Sequence, residues 1–328
     1  MSGDRSGRLI DRFDGLLCDL DGVVYAGPNA IPHAVESLNR IAEAGIAVGY
    51  VTNNASRSPA DVAAHLTDLG APASERTVVT SAQAGARLLA EKLTPGDAVL
   101  ITGSDYLAAE VRRVGLTPVT SATDDPQAVI QGFDPSIGWV DLAEAAYAIN
   151  AGALWVATNT DATIPRDRGI APGNGTLVAA VRAAVDVDPL VAGKPEAPLF
   201  QAAAAELDIS APLVIGDRLD TDILGGNNAG LTSALVLTGV DTVHTTIAAV
   251  PGQRPDLLLA DLRELFAPVS EAAPDGDGFR CGESSARVDG DTVLVDGRED
   301  DLDGWRAACA AWWAAHPDDA ATPHVSFG

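Results

Sequence analysis

The chain has 328 residues, of which 46 are Asp or Glu and 21 are Lys or Arg, for a formal net charge of −25. That charge excludes a nucleic-acid backbone as partner, since such binders present a basic face; no apolar run is long enough to span a membrane, and the first residues lack the apolar core of a signal peptide. Hydrophobic residues make up 47%, which gives a globular chain long enough for two domains, and three cysteines without disulfide or metal spacing point to the reducing cytoplasm.

The first informative segment is LLCDLDGVVY, residues 16–25. An apolar run closed by charged residues and glycine reads as a buried strand with its polar residues at the C-terminal tip, where open α/β sheets bind their ligands. Asp19 and Asp21, two apart, then share one face of that strand, and two facing carboxylates call for a divalent cation. AIPHAVESLNRIAEAG follows with helical spacing and Gly45 as its stop. Next come the strand IAVGYVTNNAS, with Thr52, Asn53 and Asn54 at its polar end, and the helix SPADVAAHLTDLG, with Ser58 as N-cap and Pro59 in the first position.

AVLITG, QAVIQG, ALWVATNTD, APLVIGD and SALVLTG are further strands with helical stretches between them, the pattern of a parallel sheet with helices on both faces. Residues 79–185 carry strands and helices of their own and read as an inserted α/β domain, which leaves 1–78 and 186–268 as the core. The character changes in 269–328, where from residue 270 onward thirteen acidic residues face four arginines and three of the five tryptophans gather. There EAAPDGDG reads as a linker, RVDGDTVLVDGRED as a hairpin and LDGWRAACAAWWAAH as an amphipathic helix, together a small α+β extension.

Only two lysines, Lys92 and Lys194, stand among 19 arginines. Lys92 has a helix-surface context. Lys194 lies between glycine and proline in VAGKPE, where no helix runs, and holds a place that a guanidinium does not fill. The polar strand tips are therefore Asp19 with Asp21, Thr52 with Asn53 and Asn54, Lys194, and Asp217 with Asp222 in VIGDRLDTD. An Asx-stabilised turn is the alternative for the asparagines, and an N-cap on the following helix is the alternative for Asp222.

In this order the four tips resemble the motifs of the haloacid dehalogenase superfamily of phosphatases, over roughly residues 10–265. The wording DLDGV, VTNN, AGKP and GDRLDTD is similar to subfamily IIA, with a large C2-type α/β cap between the second and third motifs. The resemblance implies a doubly wound, mostly parallel α/β core with an inserted cap that closes over the site, and Mg²⁺-dependent hydrolysis of a small phosphorylated metabolite through an aspartyl-phosphate. It implies Asp19 as nucleophile and Asp21 as the acid and then the base. The cation ligands would be the Asp19 carboxylate, the Asp21 carbonyl and the Asp217 carboxylate, with Asp222 orienting that shell. Thr52, Asn53, Asn54 and Lys194 would bind the phosphoryl group.

These residue types suit that chemistry. A carboxylate attacks phosphorus in line with its leaving group, one carboxyl serves two half-reactions of opposite proton demand, and developing charge needs donors fixed in advance. Arginine- and alanine-rich capped chains with an acidic tail resemble the glycerol 3-phosphate phosphatases, so that substrate is expected. Phosphoglycolate, nucleotide and aryl phosphates are alternatives, and a non-catalytic phosphometabolite-binding module or a phosphotransferase is the alternative of another class. Related caps imply a homodimer through the cap.

Other features carry less. PGNGT reads as a tight turn before a helix, Arg166 and Arg168 as surface charges or substrate contacts, and the five scattered histidines give no zinc site. Cys18 reads as a small core residue whose oxidation would inactivate the protein. The hairpin and helix of the tail resemble a fragment of an acetyltransferase-like fold without an acyl-CoA pyrophosphate loop, so acetyl transfer is not expected.

Overall fold

A computed structural model describes residues 7–166, 168–268 and 270–328. Helix ends follow local chemistry. The helix Ala34–Glu43 stops where Gly45 turns the chain at φ +80°, and the amides of Gly45 and Ile46 return to the carbonyls of Ala42 and Ile41. The helix Pro59–Asp68 starts on Ser58, whose hydroxyl accepts the Asp61 amide at 3.2 Å. Two compact units result, one of Met1–Val48 with Ser210–Gly328 and one of Gly49–Ile209.

In the first unit four parallel strands lie in the order Leu257–Leu259, Thr232–Val236, Pro212–Gly216, Gly15–Cys18. Every residue of the last two is buried, as expected of parallel strands covered on both faces. Cys18 pairs with Ile215, so these two strands end side by side and the residues that follow, Asp19 and Asp217, leave from neighbouring strand ends.

The extension belongs to the same unit. Ala273–Asp275, Gly278–Cys281, Ser284–Asp289 and Thr292–Asp296 form an antiparallel meander, and His324–Phe327 returns parallel to its last strand after the helix Leu302–Ala315. The expected hairpin and helix are both present. The expected linker EAAPDGDG is instead the first hairpin, turning on Gly276 at φ +61° with Asp275 opposite Gly278. Its strands lack the apolar alternation that would have marked them.

The second unit contains a five-stranded parallel sheet in the order Leu190–Val191, Leu154–Ala157, Ala128–Gln131, Ala98–Thr102, Thr117–Val119. Its core runs from Leu100, Val129 and Trp155 to Val178 and Val181 of the helix Asn174–Arg182. Compactness divides the chain at Val48 and Ile209 rather than at residues 78 and 185. The physical reason is that the helix Ser81–Ala90, inside the insertion, packs on the helix Pro198–Glu206 outside it.

Candidate active site

The apolar strand Gly15–Cys18 ends one residue before the first carboxylate, and the Asp19 amide still donates to the Ile215 carbonyl at 2.8 Å. Strand alternation would place Asp19 and Asp21 on one face. The regular strand ends at Cys18 and the chain turns at Leu20, whose carbonyl accepts the amides of Val24 at 2.9 Å and Tyr25 at 3.2 Å, with Gly22 at φ +79°. Asp19 is half-buried beside the sheet, whereas Asp21 is an exposed loop residue.

Asp217 is held from several sides. The Val240 amide donates to Asp217 Oδ2 at 2.8 Å, and the Asp241 amide donates to its backbone carbonyl at 3.0 Å. A Cβ at Gly22 or at Gly239 would overlap the Asp217 carboxylate, so both positions need glycine for the close approach. Asp222 follows on a π-helical turn, Leu219–Ile223, a local geometry frequent at functional sites. Its Oδ2 accepts the Arg218 amide at 3.2 Å, a cap-like bond, and a Cβ at Gly216 would strike it. Asp241 Oδ2 accepts the Leu219 amide at 2.7 Å and ties the turn to the loop behind Asp217.

Asp19, Asp217 and Asp222 each bring one carboxylate oxygen within 4.8 Å of the other two. Three hard anionic oxygens this close repel unless a cation sits among them, and the donor set fits Mg²⁺. Asp222, expected to orient the ligands, is a member of the acidic group, and the N-cap position of the following helix Leu224–Asn228 is Ile223 rather than Asp222. Asp21 is not one of the three.

The second unit carries the remaining motif residues. Thr52 closes the strand Ala47–Thr52, and its hydroxyl accepts the Asn54 amide at 3.1 Å. Asn54 is exposed, and its side-chain oxygen accepts both the amide and the hydroxyl of Ser56 at 2.8 Å, the Asx turn named as its alternative.

Asn53 is tied to Lys194. Its Nδ2 donates to the Lys194 carbonyl at 3.0 Å and to Asp161 Oδ1 at 3.1 Å, while its Oδ1 accepts the Lys194 amide at 2.7 Å. The side-chain amide thus holds the backbone of Lys194. Its own carbonyl is gripped by Ser81 Oγ at 2.6 Å and Asn159 Nδ2 at 2.7 Å. Gly193 leaves room for this contact, since a Cβ there would meet Asn53 Oδ1. Lys194 itself is buried, 5% exposed. Asp161 and Asn159 stand at a polar strand end in the sequence, but nothing local reveals that they meet a residue more than a hundred positions earlier.

The isostere separates this role from simple size. Asn53→Asp is expected to lower kcat and Tm more than Asn53→Ala, because it sets a carboxylate against Asp161 and the Lys194 carbonyl. Loss of the bonds in the alanine variant costs about 2–3 kcal/mol. Thermal unfolding and steady-state kinetics of both variants test the order, and an aspartate variant equal to wild type refutes it.

The tight-turn reading of PGNGT holds. The helix Asn174–Arg182 begins there, the Gly175 amide donates to the Asp161 carbonyl at 2.9 Å, and a Cβ at Gly173 or Gly175 would strike the backbone of residues 160–163. Arg168 is exposed, and the Arg166 side chain lies outside the described residues. Cys18 is fully buried, and burial pushes its thiol pKa up, so the thiolate that oxidation requires is suppressed.

Comparison with known proteins follows the same residues. A family model for haloacid dehalogenase-like hydrolases matches residues 16–117, and a related HAD-hydrolase-like model matches 191–265. The chain is 48% identical over 320 residues to the D-glycerol 3-phosphate phosphatase of Mycobacterium tuberculosis, covering 95% of this chain and 89% of that protein. The chain belongs to the haloacid dehalogenase-like hydrolase family. The glycerol-3-phosphate phosphatase of Gallus gallus is 38% identical, over 83% of this chain and 96% of its own length. The crystal structure of the M. tuberculosis glycerol phosphate phosphatase in complex with magnesium superposes with a TM-score of 0.87 at 46% identity, covering 98% of this chain and 95% of that one.

Within this family member, residues 281–326 also match a model of GCN5-related N-acetyltransferase-like domains. Those residues include the helix Leu302–Ala315, which connects the parallel strands Thr292–Asp296 and His324–Phe327. Its N-terminus is capped by Asp301, whose carboxylate accepts the Asp303 amide at 3.1 Å, and Asp300 adjoins it.

Proposed function

We propose that this chain is a Mg²⁺-dependent phosphatase that hydrolyses glycerol 3-phosphate through an aspartyl-phosphate on Asp19. The observation that carries the reading is the convergence of Asp19, Asp217 and Asp222 at adjacent ends of parallel strands, in a chain nearly half identical to a D-glycerol 3-phosphate phosphatase. Asp19, Asp217 and Asp222 would hold the cation, with the Asp21 carbonyl as a further oxygen. When bound, Mg²⁺ neutralises the acidic group and screens the phosphoryl oxygens from it.

In this reading Asp19 attacks phosphorus as the ester oxygen departs. Asp21, exposed on its loop, gives that oxygen a proton and then takes one from the water that cleaves the acyl phosphate, so its own charge is restored after each cycle. Thr52 donates its hydroxyl to a phosphoryl oxygen and Lys194 supplies a fixed positive charge, with Asn53 setting the lysine's backbone. The segment 79–185 selects the leaving group.

The test is phosphate release from glycerol 3-phosphate, phosphoglycolate, a nucleoside monophosphate and 4-nitrophenyl phosphate, with Mg²⁺ and with chelator. Glycerol 3-phosphate is expected to give the highest kcat/KM, and chelation to stop turnover. No release from any of them supports the non-catalytic binding module. Transfer to an acceptor other than water supports a phosphotransferase.

Among the described residues no helix is long and apolar enough to cross a membrane. All three cysteines are free and buried, which supports a cytoplasmic location. Support for a homodimer through the cap comes from the helix Trp139–Asn150, where Trp139 is 76% exposed and Val140 and Tyr147, two turns apart, are also bare.

A further inference from the structure

The extension is joined to the loops that position the acidic group, and Trp305 stands at the centre of that join. Trp305, on the helix Leu302–Ala315, is buried in a cluster with Leu219 and Ile223 of the π-helical turn and with Leu235, Ala249 and Leu258 of the core. Leu219 and Ile223 flank Asp222, and the turn begins two residues after Asp217.

A second route runs behind Asp217. The ring of His244 meets the edge of Trp305 with centroids 4.7 Å apart, and Trp313 Nε1 donates to the Ile247 carbonyl at 3.1 Å, so the short helix Val243–Ile247 is fixed against the extension. That helix follows Val240 and Asp241, the residues whose amides hold Asp217 and whose carboxylate holds Leu219. Both routes start at the extension and end at the cation-binding carboxylates.

The contact is built rather than incidental. Arg306 donates to the Leu258 carbonyl from Nε at 3.1 Å and from Nη2 at 2.7 Å, covering the outward carbonyl of the edge strand, and it also pairs with Glu264. Arg254 returns the favour from the core, donating to the carbonyls of His316, Pro317 and Asp319 at the far end of the same helix.

We propose that the acetyltransferase-like extension is a brace for the cation-binding loops, with Trp305 as the positioning residue that fixes Asp217 and Asp222 through Leu219 and Ile223. The proposal rests on the metal-dependent reading above. A packed wall behind the π-helical turn restricts the side-chain and backbone motion that three repelling carboxylates would otherwise drive, and outer-shell support of this kind tunes affinity.

The test is Mn²⁺ binding to the full chain, followed by electron paramagnetic resonance without substrate, together with the Mg²⁺ dependence of turnover. Trp305→Ala is expected to weaken Mn²⁺ binding about tenfold, with KM for glycerol 3-phosphate at saturating Mg²⁺ unchanged and Trp305→Phe restoring most of the loss. Val293→Ala, in the extension's own core and outside the Trp305 cluster, loosens the extension and is expected to leave Mn²⁺ binding unchanged.

Wild-type Mn²⁺ affinity in a folded Trp305→Ala variant overturns the brace, as does an equal loss in Val293→Ala. If Trp305→Ala does not fold, Phe327→Ala, which removes the ring 5.2 Å from Trp305, must show the same shift, and unchanged affinity there overturns the proposal. A wild-type chain that binds no Mn²⁺ overturns the metal reading and the brace with it, whereas normal wild-type binding with no Trp305 effect overturns the brace alone.

Discussion

Asp19→Asn is expected to reduce phosphate release by about 10⁴-fold or more, the scale on which loss of a covalent nucleophile acts. The substitution keeps the shape of the side chain. It also keeps the backbone, because the Asp19 amide that donates to Ile215 is untouched. On the role proposed for Asp19, what disappears is the anionic oxygen that would form the bond to phosphorus, and an amide oxygen is far too weak a nucleophile to replace it.

The same variant is expected to be more stable in the absence of metal. Asp19, Asp217 and Asp222 crowd three carboxylate oxygens within 4.8 Å, so removing one charge relieves repulsion in the metal-free protein. An increase in Tm of about 1–2 °C corresponds to 1 kcal/mol in a chain of this size. Function and stability then move in opposite directions, as they do when an active site stores unfavourable charge. Single-turnover kinetics and thermal unfolding in chelator measure the two effects. Near-normal turnover in Asp19→Asn removes the covalent mechanism. A fall in metal-free Tm shows that Asp19 stabilises the fold instead of straining it.

The strands that carry the acidic group were legible because each is an apolar run with a carboxylate directly after it. LLCD and LVIGD share that feature with LLLAD and VLVD, but only the first two continue into the DLDG and DRLDTD wording, and both end where a parallel sheet offers its ligand edge. The reach of that reasoning stopped at Leu20. Alternation treats Asp21 as a strand residue, but the regular strand ends at Cys18 and the Leu20 carbonyl accepts successive amides in a turn that a period-two rule does not foresee. The bonds of the Asn53 side chain were illegible for a different reason. Its partners are the backbone of Lys194, 141 positions on, and Asp161, 108 positions on, and no local pattern announces a pairing at that separation. Trp305 is similar. Amphipathic spacing placed it on a helix face, yet which core surface that face would cover depended on the register of the whole extension.

Asp217→Asn is expected to weaken Mg²⁺ binding by about 100-fold or more, since outer-shell losses alone reach that size and here a ligand itself is lost. The surroundings leave the new amide no good orientation. With its oxygen toward the Val240 amide, where Asp217 Oδ2 now accepts at 2.8 Å, its NH₂ group faces the cation position. Turned around, the NH₂ group opposes the Val240 N–H, donor against donor, in a buried position where an unmade hydrogen bond costs about 1–3 kcal/mol. Rotation of the side chain out of the way is blocked by the backbones at Gly22 and Gly239, which approach too closely for even a Cβ.

Thermal unfolding separates loss of metal from loss of fold. A ligand present at 100 times its Kd stabilises the native state by about 2.7 kcal/mol, so the wild-type Tm is expected to rise on addition of Mg²⁺ and to fall back with chelator. The Tm of Asp217→Asn should not respond at the same concentrations, and its turnover should stay low however much Mg²⁺ is added up to the range where wild type saturates. A variant whose melting point tracks Mg²⁺ as wild type does would place the cation away from Asp217. The acidic group at the strand ends would then be a charged surface rather than a metal centre.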